Sequence, residues 1–264
     1  MTWTVAIVTG VAGLIATAVT TPKKGIGISM KNYHCNDTVT MWDVHWWYSW
    51  TLQYNNDHTM GCSSRGEFVP MIWGLANFTQ LNIPSFATHV LGVNEPNENH
   101  PGHMTPKVAA SHWPQIESAA LGKSLISPAP ARCNVNGTNC LMDNLQWLDE
   151  FFKECSGCKV DYVAVHTYTC GVENDMRFLE TVHKRYKKRI WLTEFACPMT
   201  DSITRVENYM KGIVPRLERA PFVARYAWFG SRIPVDKYVH KVNALLEDDK
   251  STLTPLGRLY NTLR

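Results

Sequence analysis

Eight short runs of apolar and β-branched residues recur along this chain of 264 residues, and most are followed by a segment with helical spacing. Such an alternation of strands and helices predicts an α/β fold with a parallel sheet. The predicted strands are residues 25–29, 45–50, 67–73, 88–94, 124–128, 160–166, 189–194 and 225–229. Eight βα units commonly form one domain of about 250 residues, so the length fits a single domain.

Helical spacing predicts helices at residues 105–120, 142–155, 174–186 and 200–217, and another after residue 253. Thr105 and Pro106 have the residue types of an N-cap and a first helical position. The alternation fits either a closed barrel or an open doubly wound sheet. Polar or aromatic residues end most predicted strands, and no glycine-rich nucleotide loop follows the first. We therefore predict a single-domain (β/α)8 TIM barrel over residues 21–264, with its site on one rim.

The first 20 residues form a candidate export signal. Residues 3–21 carry no charge, and Ala16-Thr17-Ala18 has the small-x-small pattern that signal peptidase accepts. A retained N-terminal anchor is the alternative, because about 18 apolar residues can just span a bilayer. We interpret residues 1–20 as a cleaved signal peptide and expect a secreted protein that acts outside the cell, at or near a cell wall.

The chain has eight cysteines, an even number that predicts disulfides in an exported protein. Sequons at Asn36, Asn77 and Asn136 predict a glycoprotein. Cys155-Ser-Gly-Cys158 also matches half of a zinc site, but the spacing is not repeated, so we interpret it as a loop disulfide. We expect no metal and no cofactor. The net charge of +3 comes mainly from scattered residues, so we expect no nucleic-acid partner. We also expect a monomer.

Two glutamates follow predicted buried strands in similar contexts. The run Val90-Leu-Gly-Val-Asn-Glu-Pro96 places Asn94 and Glu95 at the exit of the fourth strand, and Ile190-Trp-Leu-Thr-Glu-Phe195 places Glu194 at the end of the seventh. Strand ends of a barrel meet at one rim, so the two carboxylates should face each other. Hydrolysis of a glycosidic bond needs one carboxylic acid and one carboxylate. Asn94 is positioned to hold a sugar hydroxyl beside them.

Aromatic residues cluster at or near several predicted strand ends, at Trp46, Trp47, Tyr48, Trp50, Trp73, Tyr168 and Trp228. The flat C–H faces of sugars pack on such rings, although aromatic residues are equally common in protein cores. Because Trp47, Trp73 and Trp228 lie nearest the predicted rim, we predict that they bind sugar, together with Tyr48. His166 and Tyr168 follow the sixth strand and are further candidates for substrate binding.

The ordered motifs of the chain resemble glycoside hydrolase family 128, the β-1,3-glucanases, within the clan of retaining 4/7 barrels. They are Phe68-Val-Pro-Met-Ile-Trp-Gly74, Gly92-Val-Asn-Glu-Pro96, Trp147-Leu-Asp-Glu-Phe-Phe152, Val160-Asp-Tyr-Val-Ala-Val-His166 and Trp191-Leu-Thr-Glu-Phe-Ala-Cys197. The resemblance implies Glu95 as general acid/base, Glu194 as nucleophile, and a substrate-facing pair in His166 and Tyr168. Ser49, Asn97 and Thr167 stand where family members commonly have Asn, Asp and Trp.

The prediction is therefore a retaining glycoside hydrolase that binds and cleaves β-1,3-glucan through a covalent glycosyl-enzyme. One alternative is a non-catalytic β-glucan-binding protein on the same barrel, which would have no need of an acid and a nucleophile. Another is a related barrel hydrolase that acts on mannan or β-1,4-glucan, since one fold serves many substrates.

Overall fold

The computed structural model describes residues 22–34, 36–54, 64–133, 139–233, 237–248 and 250–264. The predicted leader, Cys35, Cys62 and the sequon at Asn136 lie outside these ranges. Within them, no helix combines the length and the apolar character needed to cross a membrane.

Eight parallel strands form the centre of the fold, and each overlaps a predicted strand. They are β1 (Lys24–Gly27), β2 (Trp46–Tyr48), β3 (Glu67–Phe68), β4 (His89–Leu91), β5 (Ser124–Ile126), β6 (Val163–Thr167), β7 (Ile190–Phe195) and β8 (Val223–Trp228). Six pair in the order β3-β2-β1-β8-β7-β6, and β4 pairs with β5. Single parallel bridges, Met71 to Leu91 and Ile126 to Tyr162, connect the two groups. The strands thus follow one another around a ring, which confirms the predicted α/β class.

Helices connect the strands, mainly in the second half of the chain. They are α1 (Asp37–Thr40), α2 (Pro106–Ala119), α3 (Asn144–Glu154), α4 (Val172–Tyr186), α5 (Ile203–Arg219) and α6 (Pro255–Thr262). The predicted cap is confirmed, because the Thr105 side chain accepts a hydrogen bond from the Val108 N–H at 3.3 Å. Leu75–Thr79, in the connection between β3 and β4, forms a 3-10 helix.

Successive strand residues point into two different cores, because side chains alternate between the faces of a strand. Trp46, Tyr48 and Trp191 point into the barrel. Trp47 and Phe195 point outward into the larger core between the strands and the helices. All five side chains are buried. This alternation decides which aromatic residues reach the functional rim.

A charged cluster fills the barrel at the end where β3, β4 and β8 begin. The Arg225 guanidinium donates to Glu67 Oε2 at 2.6 Å, and Nδ1 of His89 lies 2.7 Å from Glu67 Oε1. Arg225 also lies against two rings, 4.6 Å from the centroid of Trp191 and 5.7 Å from that of Trp46. Pairing and stacking of this kind offset the cost of burying an ionised arginine.

We expect Glu67 to make the stability of the fold depend on pH. Burial disfavours its charge, but the hydrogen bond with His89 and the charge of Arg225 outweigh burial and lower its pKa from 4.5 to about 2. A lowered pKa stabilises the fold above the unfolded value and stops doing so as the pH falls through the folded value. After allowance for solvent screening of this partly exposed group, Glu67→Gln should therefore cost about 1–2 kcal/mol of unfolding free energy at pH 7, and about half of that near pH 3. Urea denaturation at both pH values measures this, and an equal cost at both would contradict it.

Candidate active site

The structure brings the two predicted glutamates to the same rim. Glu95 follows β4, where its N–H donates to the Ala129 carbonyl at 3.0 Å, and Glu194 is the fifth residue of β7. One carboxylate oxygen of each and a ring nitrogen of His166 all lie within 4.8 Å of one another. Glu95 has a φ of +41°, a strained conformation for a residue with a side chain. Such strain, of order 1–3 kcal/mol, is concentrated at functional sites.

His166 lies between the carboxylates and is fully buried. Its Nδ1 is 2.8 Å from Glu95 Oε1 and 3.6 Å from Glu194 Oε2. Burial disfavours the charged ring, but the charges of Glu194 and Glu95 and the hydrogen bond with Glu95 outweigh it and raise the pKa of His166. The imidazole therefore fixes the orientation of the Glu95 carboxylate. Its positive charge, when protonated, partly offsets the negative charge of Glu95 and Glu194.

Both oxygens of Glu194 accept hydrogen bonds. Trp50 Nε1 donates to Oε1 at 2.8 Å, and the Tyr168 hydroxyl donates to Oε2 at 2.5 Å. The Tyr48 hydroxyl lies 3.4 Å from Oε1 but is closer to the Thr193 carbonyl, at 2.9 Å. A phenol has one proton, so Tyr48 chiefly bonds the backbone beneath the carboxylate. The side chain of Glu194 is therefore held in one orientation.

The titration of Glu194 follows from these contacts. Burial raises its pKa and the charge of Glu95 adds to the rise, while His166, Tyr168 and Trp50 oppose it. Burial, followed by the charge of Glu194, also raises the pKa values of Tyr48 and Tyr168 well above their ordinary value. Both phenols therefore remain donors throughout the ordinary pH range.

Asp175, on α4, holds the segment that carries Tyr168. It is fully buried, and its carboxylate accepts hydrogen bonds from Thr167 and Thr169, the residues on either side of Tyr168. The Tyr209 hydroxyl donates to its other oxygen at 2.6 Å. Fixing both neighbours fixes the direction of the Tyr168 side chain, so Asp175 positions the donor that binds Glu194.

Three disulfides are present in the described part of the chain, which confirms the prediction of disulfides. Cys170–Cys197 joins the segment after β6 to the segment after β7. Cys133–Cys140 lies in the wall of the cleft. Cys155–Cys158 is the loop disulfide that the sequence predicted. Two of the three therefore brace the loops around the catalytic candidates.

A cleft of about 1190 Å³ lies over the glutamates. This exceeds the roughly 300–1,000 Å³ of ordinary small-molecule pockets, and it suits an extended ligand. Aromatic side chains line it at Trp50, Trp73, Tyr168, Phe229 and Tyr238. Asn94 also lines it, and its Oδ1 is buried without a hydrogen-bond partner among the described residues. The cleft thus offers rings for sugar faces and polar groups for hydroxyls.

Comparisons with known proteins establish the family. The glycosyl hydrolase catalytic core family matches residues 27–260. The crystal structure of a family 128 (subgroup II) endo-β-1,3-glucanase from Sorangium cellulosum is 32% identical to the chain, with a TM-score of 0.77. That match covers 92% of this chain and 98% of the other. The chain belongs to glycoside hydrolase family 128. It is therefore a glycosidase.

Two further relatives have sequence identities to this chain close to that of the Sorangium cellulosum enzyme. A subgroup II endo-β-1,3-glucanase from Pseudomonas viridiflava is 28% identical, with a TM-score of 0.75, and the match covers 92% of this chain and 98% of that one. Alkali-sensitive linkage protein 1 of Schizosaccharomyces pombe is 29% identical over 235 residues. This match covers 82% of the chain but only 40% of the relative. The chain thus spans well under half the length of that curated protein.

Two predicted sugar-binding residues of this family 128 glycosidase lie in the core. Trp47 is fully buried on the outer face of β2, 4.8 Å from the ring of Phe68. Trp228 is fully buried on the outer face of β8, 5.0 Å from the ring of Phe195, and its N–H donates to the Asn243 carbonyl. The prediction was wrong for both, because closeness to a strand end does not determine which face a side chain occupies.

The other residues that the sequence predicted to bind sugar line the cleft or lie beneath it. Trp73 and Tyr168 line it. Tyr48 and His166 lie beneath it, in contact with the catalytic candidates.

The selected sugar-binding set omitted Trp50, which contacts Glu194 directly. Trp50 is an even number of positions from Trp46 and Tyr48, so it belongs to the same face of the strand. Both of those side chains point into the barrel. Strand alternation could therefore have favoured Trp50 over Trp47. Phe229 and Tyr238 also line the cleft. Nothing in the sequence near Tyr238 indicates that it packs against Tyr168, with ring centroids 5.7 Å apart.

Proposed function

We propose that this glycosidase hydrolyses β-1,3-glucan with retention of anomeric configuration, with Glu194 as nucleophile and Glu95 as general acid/base. The spacing of the two carboxylates is the observation that carries this. Their nearest oxygens lie within 4.8 Å of each other. Retaining enzymes place their carboxyl groups about 5–5.5 Å apart, whereas inverting enzymes leave about 6.5–9.5 Å for a water molecule. One oxygen of each carboxylate thus lies close to the other group, as the shorter retaining arrangement requires, and this closeness supports direct attack by Glu194.

In the first step, a carboxylate oxygen of Glu194 attacks the anomeric carbon as the glycosidic bond breaks. Glu95 gives its proton to the departing oxygen, and the chain beyond that oxygen leaves as an alcohol. Trp50 and Tyr168 hold the attacking carboxylate in place, which lowers the entropic cost of reaching the reactive geometry. The free Oδ1 of Asn94 is available to a hydroxyl near the reacting carbon.

In the second step, the ionised Glu95 takes a proton from a water molecule whose oxygen attacks the same carbon. The bond to Glu194 breaks, and Glu194 returns as a carboxylate. His166 contacts Glu95 at 2.8 Å and lies 3.6 Å from Glu194. It can therefore stabilise whichever carboxylate carries the charge at each step. Two inversions at one carbon give a β-configured product.

The proposal that the substrate is β-1,3-glucan rests on a relative in the same family and on the size and lining of the cleft. The Sorangium cellulosum relative, an endo-β-1,3-glucanase, aligns along nearly the whole chain. The cleft has the volume and aromatic walls that a glucan segment requires. The three disulfides support the further proposal that the enzyme works outside the cell, because disulfides persist in oxidising compartments.

A panel of soluble polysaccharides tests the substrate. Reducing-end release should be detected on β-1,3-glucan, and should be at least tenfold slower on β-1,4-glucan and mannan. The protein without residues 1–20 is used, with heat-inactivated protein as the control. Faster release from another polymer would overturn the proposed substrate. Binding of β-1,3-glucan without release of product would instead identify a glucan-binding protein.

A further inference from the structure

A third carboxylate, Glu98, faces the cleft close to the catalytic pair. Its N–H donates to the Glu95 carbonyl at 3.0 Å, so it lies on the same turn as the proposed acid/base. It also forms an antiparallel bridge with Cys140 on the opposite wall segment. The side chain is half-buried and lines the cleft. None of the steps proposed above uses it.

The half-buried Glu98 differs from Glu194 and Glu67 in its lack of hydrogen-bond donors. Glu194 accepts hydrogen bonds from Trp50 and Tyr168, and Glu67 accepts from Arg225. Within the described part of the chain, no hydrogen bond or ion pair reaches the Glu98 carboxyl group; only burial and more distant charges act on it. A polar group that is partly removed from water without a partner is costly. The Glu98 oxygens are thus free to accept hydrogen bonds from a ligand rich in hydroxyl donors.

The wall that carries Glu98 is rigidly built. The side-chain amide of Asn97 donates to the carbonyls of Ala131 and Met142 at 2.9 and 3.0 Å, and its oxygen accepts from the Ala131 N–H at 2.7 Å. The Cys133–Cys140 disulfide links two residues of the neighbouring cleft wall. An ionised aspartate at this position could not donate to two carbonyls. Asn97 therefore fixes the position of Glu98.

We propose that Glu98 binds a hydroxyl group of the glucosyl unit on the leaving-group side of the scissile bond, and so contributes to substrate specificity. The inference rests on the proposed function. The acid Glu95 must contact the oxygen that departs with the leaving sugar, and Glu98 is on the same turn as this acid. Its side chain therefore lies beside the leaving sugar.

The titration of Glu98 agrees with this placement. Burial raises its pKa to about 7, with the charge of Glu95 adding to the rise, His166 opposing it and Glu194 adding further. Near that pH the carboxyl group exists in both forms. The protonated form donates one hydrogen bond and accepts others, whereas the ionised form only accepts. Sugar hydroxyls can donate and accept, so both forms of Glu98 can bind them.

Two substrates that place different groups on the leaving side test the inference. A β-1,3-linked glucohexaose places glucose beside Glu98, whereas 2,4-dinitrophenyl β-laminaribioside places an aryl group there. For Glu98→Ala, the loss in kcat/KM should be at least tenfold larger on the hexaose than on the aryl substrate. Loss of a hydrogen bond to a charged group corresponds to roughly 10–150-fold. Glu98→Gln, which keeps one acceptor oxygen, should lie between wild type and Glu98→Ala.

Controls separate this role from a structural one. Glu180→Ala, on α4 outside the cleft, removes a glutamate that pairs with Lys184 and should leave both rates unchanged. Equal losses of Glu98→Ala on the two substrates, or no loss on the hexaose, would overturn the inference alone. A wild-type protein that cleaves neither substrate would overturn the proposed function together with the inference.

Discussion

Glu194→Gln is expected to lower kcat on β-1,3-glucan by about 10⁴-fold or more, the scale seen when an enzyme loses its nucleophile. The amide is a poor nucleophile, so the glycosyl-enzyme cannot form. Glutamine has the same shape and keeps one oxygen to accept from Trp50 or Tyr168, the donors seen in the structure. The Kd for a β-1,3-glucohexaose, measured by calorimetry, should therefore stay within about tenfold of the wild-type value.

The separation of binding from turnover is the informative result. Glu207→Gln, on α5, changes a glutamate that pairs with Lys211 at 3.0 Å and should leave kcat unchanged. Near-normal turnover by Glu194→Gln would show that Glu194 is not the nucleophile. Loss of both binding and turnover, with an unchanged melting temperature, would show that Glu194 serves mainly to hold the sugar.

Glu95→Ala is expected to affect substrates according to their leaving groups. On β-1,3-glucan, kcat/KM should fall by about 10²–10⁴-fold, the usual contribution of a general acid. On 2,4-dinitrophenyl β-laminaribioside the loss should be at least tenfold smaller, since a dinitrophenolate departs without a proton. Because kcat/KM reports the steps up to departure of the leaving group, it isolates the acid role.

Azide provides a second measurement on the same variant. The small anion needs no general base, so it should attack the glycosyl-enzyme in the space that Glu95→Ala opens. The β-glycosyl azide should accumulate, and kcat on the aryl substrate should rise with azide concentration. Equal losses on the two substrates without azide rescue would contradict the acid/base role of Glu95.

The elements of the barrel could be predicted because each strand has a local signature. The buried runs that end at Glu95 and Glu194 mark both the strands and their exits. The rim where strand ends meet then follows from the topology. What failed was the face of individual aromatic residues. Trp47 and Trp228 are outward-facing neighbours of the inward-facing Tyr48 and Ala227, so an error of one residue placed them on the wrong side of the sheet.

The support around the site depends on contacts between distant parts of the chain. Trp50 reaches Glu194 across 144 positions, and His166 reaches Glu95 across 71. Trp50 also lies beyond the end of β2 with a φ of +56°, so strand alternation indicates the face of its ring but not its contact with Glu194. Such contacts are set by the closed ring and by loop conformations. Neither leaves a local pattern in the sequence.

The anomeric configuration of the first product tests the retaining mechanism most directly. Proton NMR during cleavage of a β-1,3-glucohexaose, recorded before mutarotation equilibrates the new reducing end, identifies the anomer that the enzyme releases. Two displacements through Glu194 predict that the β-anomer forms first and then decays towards equilibrium. Initial release of the α-anomer would show a single displacement by water and would contradict the roles assigned to Glu95 and Glu194.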